Sequence, residues 1–180
     1  MSVVAALIHQ GRVYMAADSR GSAGCYGKQY REEKIFRRGP LTIGATGSWP
    51  LIQLLRHRLV LPEIHEDTYR YVVVDFYEAL RDALREHGLL VRLSNGVEGH
   101  PGSILVGLHG RLFVSHSELY FIEPLDPFMA IGHGYQYALG ALAVTEGAGL
   151  TPEERLQRVI EITARYDGAV APPAVIVCGE

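Results

Sequence analysis

The chain has 180 residues, 48% of them hydrophobic and 21% charged, with a formal net charge of −3. Those proportions suit one globular domain over residues 1–180 with a real core. They argue against a nucleic-acid binder, whose phosphate contacts need clustered Lys and Arg, since the one basic cluster is Arg37–Arg38, and against a membrane-spanning helix, since no apolar run approaches roughly 20 residues. Cys25 and Cys178 are the only cysteines, so no disulfide framework is expected, and a reducing cytoplasm fits.

The stretch VVAALI, Val3 to Ile8, reads as a buried strand and is too short for a signal peptide. HQGR is a turn, and Val13 to Ala17 completes a hairpin. DSRGSAG reads as a loop, with Cys25 as a loop or packing residue. Glu33 to Phe36 and Leu41 to Ala45 read as a second strand pair broken by RRGP.

Ser48 is placed as an N-cap, with Pro50 in the first turn of a helix that carries Leu51, Leu54, Leu55 and Leu59. A second helix is predicted from Asp67 or Thr68 to His87. Its apolar stripe is Tyr69, Val72, Val73, Phe76, Leu80 and Leu84, and Gly88 ends it. SNGVEGHPG is a loop. Ile104 to Leu108 and Leu112 to Ser115 form a hairpin around HGR, and Leu119 to Ile122 reads as a third strand. FMAIGHG is a short strand running into a glycine turn. A helix from Tyr135 to Glu146 follows, then one opened by the capping box TPEE, with Pro152 at its first position. Leu156, Val159, Ile160 and Thr163 line one face of that helix, and PPAVIVCGE closes the chain with a strand.

Strands, two helices, strands, two helices, strand: this order predicts an antiparallel α+β architecture in which helix pairs cover sheets.

Several segments carry a further pattern. SVVAALIHQGRVYMAADSRGSAG, then KIF, then IGATGS, resembles the amino-terminal half of proteasome β-type subunits and of the HslV-type peptidase. SILVGLHGRLFVSHS, MAIGHGYQYALGAL and ITARYDG resemble later segments of the same family, so the likeness runs over nearly the whole chain. These proteins are N-terminal-nucleophile hydrolases. The resemblance implies a four-layer αββα sandwich, two antiparallel sheets between helix pairs. It implies that the first mature residue is the nucleophile, with an aspartate sixteen positions later and a lysine sixteen after that. Counted from Ser2, Asp18 and Lys34 fall on those positions, and Asp167 falls on a supporting aspartate. Only Met1 precedes Ser2, and serine is small enough for methionine aminopeptidase to expose it, so no self-processing is expected.

The chemistry fits these residue types. A serine hydroxyl needs a base, and a free α-amine, with an ordinary pKa near 8, is one that sits on the same residue. Lys34 would disfavour protonation of that amine, and Asp18 would hold Lys34. The resemblance implies oxyanion donors in GATGS, at the N–H of Gly47 or Ser48 beside a helix start. It also implies that the backbone of Ser19, Gly21 and Ser22 pairs with an extended substrate, and that Glu32 and Thr46 shape the specificity pocket, with a basic residue before the cut bond. Two positions depart from the family. His133 stands in GHG where a serine is usual, and Val170 stands where a second serine is common. His133 is therefore a candidate partner to the nucleophile, weighed against a histidine satisfied by backbone alone.

The resemblance implies polypeptide substrates, a homo-oligomeric ring, an ATPase unfoldase partner and a cytoplasmic location. No cofactor or metal is expected, because the histidines lack ligand spacing. Two other readings stand beside the peptidase: a small-molecule amidase of the same fold, and a catalytically silent ring subunit.

Overall fold

The computed structural model describes residues 2–23 and 26–180, so the reading of Cys25 falls outside the described residues. The first strand, β1 (Val3–His9), turns back through Gln10 and Gly11 into β2 (Arg12–Asp18). Arg20–Ala23 (β3) and Tyr26–Gln29 (β4) form a small hairpin where the sequence DSRGSAG predicts a loop. The strand signal in a sequence is alternating burial. This ribbon has little to bury, with Tyr26 at the start of β4 63% exposed, so its sequence carries no such signal. The pair β5 (Ile35–Arg38) and β6 (Leu41–Gly47) follows as expected.

Helix α1 (Trp49–Gln53) starts after Ser48, which occupies the N-cap without a side-chain cap bond, and continues as a π-helical segment Leu54–Arg58. Helix α2 (Thr68–Arg70) is capped by the Asp67 carboxylate, which accepts the Arg70 N–H. It widens into a π-helical segment, Tyr71–Phe76, and tightens again as α3 (Tyr77–Glu86). That wider turn rotates the start of the predicted stripe. Val72, Phe76, Leu80 and Leu84 are buried as expected, but Tyr71 is buried in place of Tyr69, which is 47% exposed.

A short ladder, β7 (Val91–Arg92) with β8 (Glu98–Gly99), interrupts the predicted loop. The central hairpin is β9 (Gly102–Leu108) and β10 (Arg111–Ser115). Leu119 to Ile122 is not a strand. The Tyr120 N–H turns back to the Glu118 carbonyl, so only Ile122 aligns with β10, in a single bridge to Val114. The chain closes with β11 (Phe128–Gly132), α4 (Tyr135–Val144), α5 (Pro152–Tyr166) and β12 (Ala174–Cys178). The predicted capping box is present: the Glu154 N–H donates to Thr151 Oγ1 at 3.2 Å, and the Thr151 N–H to Glu154 Oε2 at 2.9 Å.

Two four-stranded antiparallel sheets carry the fold, in the orders β11-β1-β2-β12 and β10-β9-β6-β5. Val4, Val13, Met15, Leu105, Leu112 and Val114 meet in one core cluster drawn from both sheets. A second cluster joins β5, β6, β9 and β10 to the first helices through Leu54, Tyr71 and Phe76. A third joins β1, β2 and β11 to α4 and α5 through Ala138, Leu142 and Ile160. Burial on this scale is the main favourable term in folding, at roughly 25 cal/mol per Å² of apolar surface. Among the described residues no helix is long and apolar enough to cross a membrane.

The register brings several strand ends together. Val3 at the start of β1 faces Gly132 at the end of β11, and Val4 faces Ala17, one residue before Asp18 at the end of β2. Lys34 directly precedes β5, and its carbonyl accepts the Ala45 N–H near the end of β6.

Candidate active site

Ser2 precedes β1, is 6% exposed and lines a cleft of about 590 Å³. Its position is held from two sides. On one side, Asp18 Oδ1 accepts the N–H of Val3, the next residue, at 3.0 Å. On the other, the Ser2 carbonyl accepts the His133 N–H at 2.7 Å and the Gly134 N–H at 3.4 Å. Gly132 makes this approach feasible: its φ is +97°, and a Cβ there would sit 2.4 Å from the Ser2 carbonyl oxygen.

Asp18 and Lys34, sixteen positions apart in the chain, meet with Nζ 2.7 Å from Oδ1. The pair is sealed, with side chains 0% and 2% exposed. Lys34 also donates to the Arg20 carbonyl at 2.5 Å, and Asp18 Oδ2 accepts the Arg20 N–H at 3.1 Å. Burial pushes the Lys34 ammonium below its ordinary pKa, and the adjacent Asp18 carboxylate pulls it back up. One carboxylate thus binds both the ammonium and the amide next to Ser2.

The structure separates the two candidate donors in GATGS. The Ser48 N–H already donates to the Pro101 carbonyl at 3.1 Å. Because hydrogen-bonded pairs alternate along an antiparallel ladder, the intervening residue Gly47, opposite Gly102, turns its amide off that ladder. Gly47 lines the cleft with Ser2. Its φ is +102°, and a Cβ would meet Gly102 Cα at 2.5 Å and the Pro101 carbonyl at 2.7 Å.

His133 also lines the cleft, and its Nδ1 lies 2.8 Å from Asp167 Oδ2. Asp167 ends α5 and is nearly buried, and its Oδ1 accepts the Ala169 N–H at 2.9 Å. Val170 packs into the cluster beneath α4 and α5, so the place of the usual second serine is apolar core.

Of the substrate-side residues, Thr46 lines the cleft and Glu32 does not. Ser19, Gly21 and Ser22 run into β3 rather than through a free loop. The Tyr30 N–H donates to the Ser19 carbonyl at 3.2 Å, so ladder alternation turns the Gly21 amide and carbonyl toward Lys28 and leaves those of Ser22 on the outer edge. The Ser19 hydroxyl is buried with no partner among the described residues. Ser103, His116, Ser117 and Tyr135 also line the cleft, and the sequence reading does not single them out. Ser103 had a signal: it faces Thr46 across the β6–β9 ladder, in the hairpin segment already matched to the family.

The fold and this geometry can be set beside known structures. No family model and no curated protein sequence matches the chain. The Thiobacillus denitrificans BPH, solved in complex with epoxomicin, superposes with a TM-score of 0.83 at 23% identity, over 99% of this chain and 98% of that one. The chain has the proteasome-type fold. The eukaryotic HslV of Trypanosoma brucei matches at TM-score 0.69 and 18% identity, covering 98% of each chain. Anbu of Yersinia bercovieri, described as an ancestral beta-subunit, matches at 0.64 and 20%, over 98% of this chain and 81% of that one. Among the described residues no group of three or more metal-binding side chains converges.

Proposed function

We propose that this protein is a proteasome-like peptidase that cuts peptide bonds through Ser2 once Met1 is removed. The observation that carries the reading is the Asp18 carboxylate, which touches both the Val3 amide behind Ser2 and the Lys34 ammonium. A sealed ion pair of this kind gives little net stability for its desolvation cost, so its position behind a cleft residue favours a chemical role.

The Ser2 hydroxyl attacks the substrate carbonyl while the Ser2 α-amine takes its proton. The positive charge on Lys34 keeps that amine in its unprotonated, basic form. Gly47, whose amide is off the ladder, offers its N–H to the developing oxyanion. Asp167 supports the site from behind through His133. The three core clusters support an order of helices, sheet, sheet, helices, the four-layer αββα sandwich, in one catalytic domain over residues 1–180. The likeness to an ancestral beta-subunit supports action as a subunit of a larger assembly; the assembly we propose is a homo-oligomeric ring acting on polypeptides, with an ATPase unfoldase that unfolds folded substrates before they enter.

A second reading has one observation behind it. A cleft of about 590 Å³ lies within the usual range for small-ligand sites, as an amidase of this fold would need.

Turnover of fluorogenic peptides and of small amides by the wild type and by Ser2→Ala tests both readings. Peptide turnover lost in Ser2→Ala supports the peptidase; turnover of small amides alone supports the amidase. Unchanged turnover in Ser2→Ala places the nucleophile elsewhere. Intact mass reads Met1 removal, and light scattering reads the ring.

A further inference from the structure

The Asp18–Lys34 pair is sealed, whereas the His133–Asp167 pair opens on the cleft. Asp167 is 3% exposed and His133 56%. An ionised carboxylate can only accept, so the 2.8 Å contact puts the proton of a neutral imidazole on Nδ1. The other ring nitrogen, Nε2, is then the acceptor, on a half-exposed ring that lines the same cleft as Ser2. The backbone holds the two residues side by side, since the His133 N–H donates to the Ser2 carbonyl at 2.7 Å. A hydroxyl, an imidazole and an orienting buried carboxylate thus share one site, the set of parts that serves acyl transfer wherever the geometry allows, irrespective of chain order.

We propose that His133, oriented by Asp167, is a second acceptor for the Ser2 hydroxyl proton, one that needs no free α-amine. This rests on Ser2 being the nucleophile. As Oγ bonds to the substrate carbonyl carbon, its proton passes to Nε2 and the carbonyl π pair moves to oxygen. As the C–N bond breaks, that pair re-forms the carbonyl, and the departing nitrogen keeps the C–N electrons and takes the proton from Nε2. Water then adds to the ester carbon, giving a proton to Nε2. The C–Oγ bond breaks, and Oγ recovers that proton. Asp167 is a positioning residue, and its contact with the Ala169 N–H keeps it in place.

The test uses the Met1-free protein with its Ser2 nitrogen acetylated, so that the α-amine cannot act, with intact mass as proof of the modification. Fluorogenic peptide turnover is expected within about tenfold of the free-amine protein, and His133→Gly is expected to lower it at least ~100-fold. Imidazole added to His133→Gly restores part of the loss, which a purely structural role would not allow. Asp167→Asn lowers kcat with little change in KM, through the wrong imidazole tautomer. An acetylated protein without turnover, a His133→Gly variant as active as its parent, or a loss that imidazole leaves untouched overturns the proposal. Unchanged turnover in Ser2→Ala of the free-amine protein removes the underlying reading instead.

Discussion

Two acid–base pairs flank Ser2, and they differ in what surrounds them. Asp18–Lys34 is buried on all sides and bonded to backbone at Val3 and Arg20. His133–Asp167 buries the acid and leaves the base half in the open. A sealed pair fixes charge and geometry and has almost no contact with solvent. A pair open to the cleft can exchange one. The difference teaches that burial of the base sets what each pair is suited to, the sealed one to holding a fixed charge and the open one, as proposed, to exchanging a proton with the cleft.

The largest expected effect comes from breaking the sealed pair. Lys34→Met leaves the Asp18 carboxylate buried and unpaired, which costs about 3–5 kcal/mol of stability. His133→Gly removes one partner of Asp167 but opens that carboxylate to cleft water and leaves it the Ala169 N–H, so a smaller loss of about 1–2 kcal/mol is expected. Urea unfolding of both variants reads the contrast. Equal losses would erase it.

A third group extends the comparison to pH. His100 is 1% exposed, and its Nε2 lies 2.8 Å from Ser115 Oγ. The Ser115 hydroxyl reaches the Glu118 carbonyl at 3.2 Å, so it accepts from Nε2–H, and Nδ1 is left without a partner among the described residues. Burial, helped by the nearby His116, pushes the His100 pKa from 6.5 down to about 4. The unfolded chain therefore binds the proton more readily. Stability from this group is complete above pH about 6.5, falls as the pH drops toward about 4, and is level below that, for a total of about 3 kcal/mol. Unfolding free energies at pH 7, 5.5 and 4 should trace that decline, and His100→Gln should flatten it. An unchanged slope in His100→Gln would assign the decline to other groups.

Gly47→Ala gives a smaller effect. Its positive φ and the contacts at Gly102 and Pro101 leave no room for a Cβ, so a loss of about 1–3 kcal/mol is expected, with peptide turnover falling as the amide shifts. An alanine variant as stable and active as the wild type would remove Gly47 from the site.

The sealed pair was legible in the sequence because the spacing of Ser2, Asp18 and Lys34 matches a known pattern, and the strand order that joins them follows from short hairpins. The open pair was legible only as two separate residues. His133 and Asp167 stand 34 positions apart, and their contact depends on how α5 packs against α4, which itself packs against β11, and no local pattern encodes that. The choice between Gly47 and Ser48 needed the phase of the β6–β9 ladder, and a shift of one residue reverses which amide is free. The β3–β4 ribbon leaves no such trace in the sequence, because alternation appears only where a face is buried.

The central claim is that Ser2 is the nucleophile. The most direct measurement is mass spectrometry of the protein quenched during turnover of a slow ester substrate. The account predicts an acyl adduct on the peptide that begins with Ser2, located on the Ser2 side chain and absent from Ser2→Ala. An adduct on any other residue, or one that persists in Ser2→Ala, would contradict it.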